Sequence, residues 1–240
     1  MWKSLVRGTE WKQVVDLASP SFFDVLPGKA LRRATGALTK NWFDGSGFGD
    51  ACGHRAETLA SSDVQVRLGG ADAGGELGRE ARGQRALELY FHQLFAGGPV
   101  LLDLRPERFE ACGDALCWSP KSLWYTFDDA FLAAMREIYA GFYADDDARF
   151  QAGLDQVGLR CAEDTFLEHF GGGDQRAVSF DVHTFTETFH RTFLSCRDQG
   201  ATLHRDFVPL GLYLATLYVH LEELGGAFDV RAAYDRVAQG

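Results

Sequence analysis

The sequence predicts a mainly α protein, a helical bundle carrying one short β-hairpin, and three observations lead there. Apolar residues recur at spacings of three and four in long segments from about Glu76 to the C-terminus. Aspartates stand where those segments begin and glycines where they stop. Only two short apolar runs, "PVLLDL" and "ALCW", flank a stretch rich in turn residues.

Taken in order, residues 1–63 read as an irregular, aromatic-rich segment with Pro20, Pro27 and the glycine cluster "FDGSGFGDACG". Trp2, Trp11, Phe22, Phe23 and Trp42 are unlike the residues of a solvated tail. They are expected to pack on the rest of the chain or to dock a partner. Residues 64–240 form the main domain. It opens with a strand candidate in "DVQVRLGG", where Val64 and Val66 alternate with polar neighbours, and "ADAGGELG" is a loop.

The segment "ELGREARGQRALELYFHQLF" then places Leu87, Tyr90, Phe91 and Leu94 on one helical face, and Gly97 and Gly98 end it. The hairpin around "RPERFEACGD" follows, and no further β-structure is expected. Beyond Asp128 everything reads as helix. "DDAFLAAMREIYAGFY" and "DDDARFQAGLDQVG" begin on acidic caps, and "AEDTFLEHFGGG" is a short third helix. Phe185, Phe189 and Phe193 make a core stripe at intervals of four. "RDFVPLGLYLATLYVHLEELGG" is apolar nearly all round and is the expected centre of the bundle, with Asp206 as its cap. Asp229 caps a last helix, "DVRAAYDRVAQ".

With 46% hydrophobic and 24% charged residues, the composition is that of a soluble globular chain. A formal net charge of −10 argues against a nucleic-acid partner, which needs a basic face. The five cysteines, Cys52, Cys112, Cys117, Cys161 and Cys196, are scattered behind an N-terminus with no signal pattern. They read as reduced thiols of a cytoplasmic protein. No apolar stretch reaches the roughly 18 to 20 residues of a membrane span.

Several motifs bear on chemistry. His204, Arg205 and Asp206 stand in the order that opens a kinase catalytic loop, but Gly211 occupies the place of the metal-holding Asn and no D-F-G follows. Glu187 and His190 form one Glu-x-x-His pair, the unit of di-iron bundles, without the second pair such a site needs. No metal site is expected, and a metal-dependent bundle oxidase using Glu187 and His190 is the second alternative. No nucleophile elbow, phosphate loop or dinucleotide fingerprint is present.

The stretch "QRALELYFHQLFAGGPVLLDLRPERFEACGDALCW" resembles the catalytic-loop region of the UbiB/AarF family of atypical protein-kinase-like proteins. That family's H-x-D-P-H-P-G-N motif lays its Asp on Asp103 and its second Pro on Pro106. Its first His falls on Leu101 and its metal-binding Asn on Arg108, and no D-F-G follows the hairpin. Downstream, "FLAAMREIYAGFYADDDARFQAGLDQVGL" is similar to the helical C-lobe, whereas residues 1–63 match nothing of the nucleotide-binding N-lobe. The resemblance implies a kinase-like C-lobe without its N-lobe and a link to quinone or lipid metabolism.

The resemblance further implies a non-catalytic, pseudokinase-like scaffold that binds a partner protein or an apolar small molecule, with no cofactor. Peripheral contact with a membrane surface is compatible with the sequence. The alternative is a residual or split kinase or ATPase that uses Asp103, with ATP and Mg²⁺. Arg105, Arg108 and Lys121 are the candidate anion- or partner-binding residues; the plainer alternative pairs Arg105 and Arg108 with Glu107 or Glu110 and leaves Asp103 as a loop-ordering acceptor.

Overall fold

The computed structural model describes residues 28–68, 74–160, 163 and 177–239. It is mainly helical, as expected. Two helices come first, α1 (Gly28–Phe43) and α2 (Gly45–Thr58). They replace the irregular backbone expected up to residue 63. Asp44 starts α2 by accepting from the Gly47 amide at 2.9 Å. Of the glycines that argued for a loop, Gly47 allows close packing: a Cβ there would stand 2.6 Å from the Trp124 ring. Leu38, Ala51, Cys52 and Arg55 are buried on the same side. Tertiary burial thus outweighs the poor helix propensity of the segment.

Strand β1 (Val64–Val66) runs parallel to β4 (Ala115–Trp118), and β4 pairs antiparallel with β3 (Phe109–Cys112). Strand β4 is the expected run "ALCW", but its hairpin partner β3 lies inside "RPERFEACGD", the stretch read as the connection, and the first strand candidate extends the sheet as β1. Two further ladders were not expected. One joins β2 (Val100–Leu101) to β5 (Trp124–Tyr125), and the other joins β6 (Ala177–Ser179) to β7 (Ala227–Asp229), both antiparallel. Strands of two or three residues carry too little alternation to register in a sequence pattern.

The remaining helices are α3 (Arg79–Phe95), α4 (Asp129–Ala144), α5 (Asp147–Val157), α6 (Val182–Asp198), α7 (Phe207–Leu224) and α8 (Val230–Ala238). Aspartate side chains cap four of them: Asp128, Asp146, Asp181 and Asp229 accept amides of the first turn. Asp206 does not. It stands at the N-cap of α7 without a capping bond; its carboxylate accepts the Tyr125 hydroxyl at 2.8 Å and the Asp128 amide at 2.7 Å. Apart from Glu163, the expected helix at "AEDTFLEHFGGG" lies outside the described residues.

Helix α7 is the centre of the core, as its all-round apolar sequence requires. Tyr213 stacks on Tyr90 of α3 at 5.1 Å, and the Tyr90 and Tyr139 hydroxyls meet at 2.6 Å. The stripe of α6 is core as expected, with Phe185 and Phe193 buried and Phe189 partly so. Helices α4 and α5 pack closely at Gly141, where a Cβ would stand 2.4 Å from the Phe150 amide nitrogen.

The cysteines do not all remain thiols. Cys112 and Cys117 are joined in a disulfide, with Cα atoms 5.8 Å apart, and Cys196 is disulfide-bonded as well. Cys52 is a buried free thiol. Spacing alone hid the first pairing, because only the hairpin turn at Gly113 and Asp114 brings the two strand positions diagonally together.

His220 of α7 is 2% exposed, lies against the Phe109 ring, and neither ring nitrogen has a hydrogen-bond partner among the described residues. Burial pushes its pKa from 6.5 down to about 4. The folded state therefore refuses a proton that the unfolded chain accepts, and stability falls as pH drops from 6.5 towards 4. Urea unfolding at pH 7 and pH 4.5 is expected to show about 2–3 kcal/mol less of this loss in His220→Leu than in the parent chain.

Candidate functional site

The segment that carries Asp103 begins where α3 ends. Gly97 and Gly98 both adopt φ of +73°, a left-handed turn that reverses the chain into β2. From there it runs through the core to a 3-10 turn at Pro106–Arg108 and enters β3. Leu101, Leu102, Asp103 and Leu104 are fully buried, so their backbone groups need partners from the protein.

Side chains from four elements supply partners along the segment. Arg55 of α2 donates to the carbonyls of Gly97 at 3.2 Å and Pro99 at 2.9 Å. The Gln93 carboxamide accepts from the Leu101 amide at 2.9 Å and donates to the Leu101 carbonyl at 3.2 Å. Thr216 of α7 donates to the Leu102 carbonyl at 2.9 Å and accepts from the Leu104 amide at 3.3 Å. The Trp118 indole donates to the Asp103 carbonyl at 2.8 Å.

The Asp103 carboxylate is fully buried and fully engaged. Arg105 grips it with two parallel hydrogen bonds, Nε to Oδ1 at 2.7 Å and Nη2 to Oδ2 at 2.9 Å. Arg108 adds an ion pair from Nε to Oδ2 at 3.1 Å, and the Lys121 amide donates to the same oxygen at 3.3 Å. Half-exposed Glu107 bridges the two guanidinium groups, 3.2 Å from Arg105 Nη1 and 3.3 Å from Arg108 Nη2. Charge-assisted, bidentate pairs of this kind are the strong ones, and removing one partner from a buried pair leaves an uncompensated charge. To bind a metal or accept a substrate proton, Asp103 would have to give up at least one arginine.

The other residues selected from sequence fall as follows. Arg105 and Arg108 are 3% and 6% exposed and turn inward onto Asp103. They do pair with Glu107, but as members of a buried cluster and not as ordinary surface ion pairs. Lys121 is exposed, and its backbone, not its ammonium group, meets Asp103. Trp42 is partly buried against the core, while Trp2, Trp11, Phe22 and Phe23 lie outside the described residues. Glu187 and His190 sit on the exposed face of α6, where Glu187 pairs with His183 at 3.3 Å. Among the described residues, no group of three or more His, Cys, Asp or Glu is placed to hold a metal. His204 stacks on Phe131 at 5.1 Å and accepts the Asp206 amide at 3.3 Å.

Sequence reasoning missed Arg55, Gln93 and Thr216. Their signal is faint: each is a polar residue on the apolar face of a helix, and nothing local names the loop it holds. Arg55 is the least ordinary, being fully buried with no carboxylate partner among the described residues, and burial lowers its pKa to about 10. Compared with known proteins, the sequence matches no family model and no curated relative. No helix among the described residues is long and apolar enough to cross a membrane.

Arg55→Met leaves the Gly97 and Pro99 carbonyls without their donors inside the protein. It is expected to destabilise the fold by about 2–3 kcal/mol in urea unfolding, the penalty of orphaned buried acceptors.

Proposed function

We propose that the chain is a non-catalytic, pseudokinase-like helical scaffold that binds a partner protein or an apolar ligand. The observation that carries this reading is the state of Asp103. Phosphoryl transfer depends on metal ions that neutralise phosphate charge and on a carboxylate free to orient the nucleophile. Here that carboxylate is held by two arginines inside the core, and one of them, Arg108, occupies the position at which the resemblance would put a metal ligand. Where the resemblance would put metal-binding chemistry, this chain has an internal ion pair.

The order of elements supports the resemblance behind this reading. A helix ends in a glycine turn, a short strand leads to the Asp103 loop, and a hairpin follows. The strand before the loop then pairs with β5, the strand beyond the stretch where a D-F-G would stand. In this reading Trp2, Trp11, Phe22 and Phe23 serve as the docking arm, and the link to quinone or lipid metabolism stays with the resemblance. The cytoplasmic location expected from reduced thiols is disfavoured by the Cys112–Cys117 disulfide, which argues for an oxidising compartment. The oxidase alternative loses support because Glu187 engages an exposed His183.

The test is nucleotide binding by the whole chain, read as the thermal midpoint with and without millimolar ATP and Mg²⁺. A ligand that binds only the folded state raises the midpoint. No shift is expected. A Mg²⁺-dependent rise, lost in Asp103→Asn, would overturn the proposal in favour of a residual or split ATPase.

A further inference from the structure

The last turn of α8, the face of α3 around Glu88 and the connection from α2 to β1 surround a pocket of about 430 Å³, a volume within the range of small-molecule sites. Its lining divides by chemistry. Leu59, Val64 and Leu89 are buried and apolar, whereas Ser61, Ser62 and Asp63 are exposed. The lining also contains one buried carboxylate, that of Glu88, which is 9% exposed.

Glu88 is a buried acid that the protein only partly satisfies. Its one ion pair among the described residues is with Arg236 of α8, whose Nη1 stands 2.9 Å from Oε1, yet no hydrogen bond reaches that oxygen. The guanidinium has the distance but not the direction. The Arg236 side chain is 64% exposed, and pairs made by exposed arginines contribute little. Burial pushes the Glu88 pKa up and outweighs the opposing pull of Arg236. Asp103, equally enclosed, has two arginines and a backbone amide where Glu88 has one misaligned partner.

The neighbouring groups do not make up the deficit. Arg85 is engaged with Asp63 at 3.5 Å and with the Asp114 carbonyl. His92, one turn along α3, lines the same pocket with its Nδ1 buried and without a hydrogen bond. Burial and the charge of Arg55 lower its pKa, so the ring adds no positive charge at neutral pH. A carboxylate only accepts, so its missing partner must donate, and a charged donor makes the stronger bond. A bare metal ion does not suit the lining, since among the described residues no three His, Cys, Asp or Glu side chains are placed to hold one. The Arg236 side chain, a guanidinium on a hydrocarbon stem, already shows the kind of group that reaches Glu88.

We infer that this pocket binds a small organic monocation, a primary ammonium or guanidinium group on a short alkyl chain, which donates the hydrogen bonds Glu88 lacks and displaces Arg236 into solvent. The hydrocarbon end rests on Leu59, Val64 and Leu89. The site shares no residue with the Asp103 cluster and does not depend on the proposed function.

The probes are n-butylguanidinium and n-butylammonium. Two comparators go with them: n-butyltrimethylammonium, a cation with no N–H to donate, and butyrate, an anion of similar size. Binding to the whole chain near neutral pH is read by calorimetric titration and by the thermal midpoint. The first two are expected to bind at millimolar concentration, at least about tenfold more tightly than either comparator, the ratio set by a charge-assisted hydrogen bond to a buried carboxylate.

Glu88→Gln keeps the shape and removes the charge, and it should weaken n-butylguanidinium at least about tenfold. Arg236→Ala removes the resident competitor and should tighten it about two- to fivefold. The midpoint that Arg236→Ala loses should be regained on adding n-butylguanidinium and not on adding the trimethyl compound, because only a ligand that binds the folded state restores it. Should Glu88→Gln not fold, the Arg236→Ala titration and rescue decide alone. Absence of binding, equal affinity for either comparator, unchanged affinity in Glu88→Gln, or weaker binding in Arg236→Ala would each overturn the inference.

Discussion

A loop that crosses the interior of a protein must have every backbone group and every charge answered from within, because water is not there to do it. The segment from Gly97 to Arg108 is such a loop, and the molecule is arranged around that requirement. Arg55 brings α2 to it, Gln93 brings α3, Thr216 brings α7, and Trp118 brings the three-stranded sheet. Asp103 then closes the loop on itself through Arg105 and Arg108. Each polar contact is modest in net terms, but each becomes expensive to leave unmade once the others have excluded water.

The same constraint fixes what the loop can do. A carboxylate that carries chemistry is usually left partly unsatisfied, ready for a metal or a proton, whereas Asp103 is saturated by its neighbours. On the other side of α7 lies an apolar cavity. There the helix turns Leu210, Gly211 and Leu214 towards the phenylalanines of α6 and encloses apolar space. One helix thus serves both regions: Thr216 faces the polar loop and Gly211 lines the apolar cavity.

How much of this was legible in the sequence depended on whether the deciding contacts were local. Helices α3 to α8 announced themselves through periodicity, and α4, α5, α6 and α8 through aspartate caps as well, because both signals lie within one turn of the residues concerned. Helices α1 and α2 did not, since the glycines of "GSGFG" favour a loop until Trp124, far along the chain, packs on Gly47. The ladders β2–β5 and β6–β7 join segments distant in sequence and too short to alternate. Asp103, Arg105 and Arg108 stood out in the sequence in separate roles, Asp103 as a degenerate catalytic aspartate and the arginines as anion- or partner-binding groups, and not as partners of one another. What spacing hid is that the 3-10 turn at Pro106–Arg108 aims both guanidinium groups back at one carboxylate instead of outward. Asp206 misled for a related reason: it has the position of a cap, but Tyr125 and the Asp128 amide reach it first.

The central claim is that Asp103 is a structural ion-pair partner and not a vacant catalytic group. A double-mutant cycle in urea unfolding tests it most directly, with Asp103→Ala, Arg105→Met and the two combined. The account predicts that Asp103→Ala alone is destabilising by about 3–5 kcal/mol, because two buried arginines lose their counter-charge. It also predicts that the double variant recovers at least about 1.5 kcal/mol relative to the sum of the single changes. A single loss below about 0.5 kcal/mol, with additive behaviour in the pair, would mean that Asp103 is not committed to the arginines, and the account would be wrong at its centre.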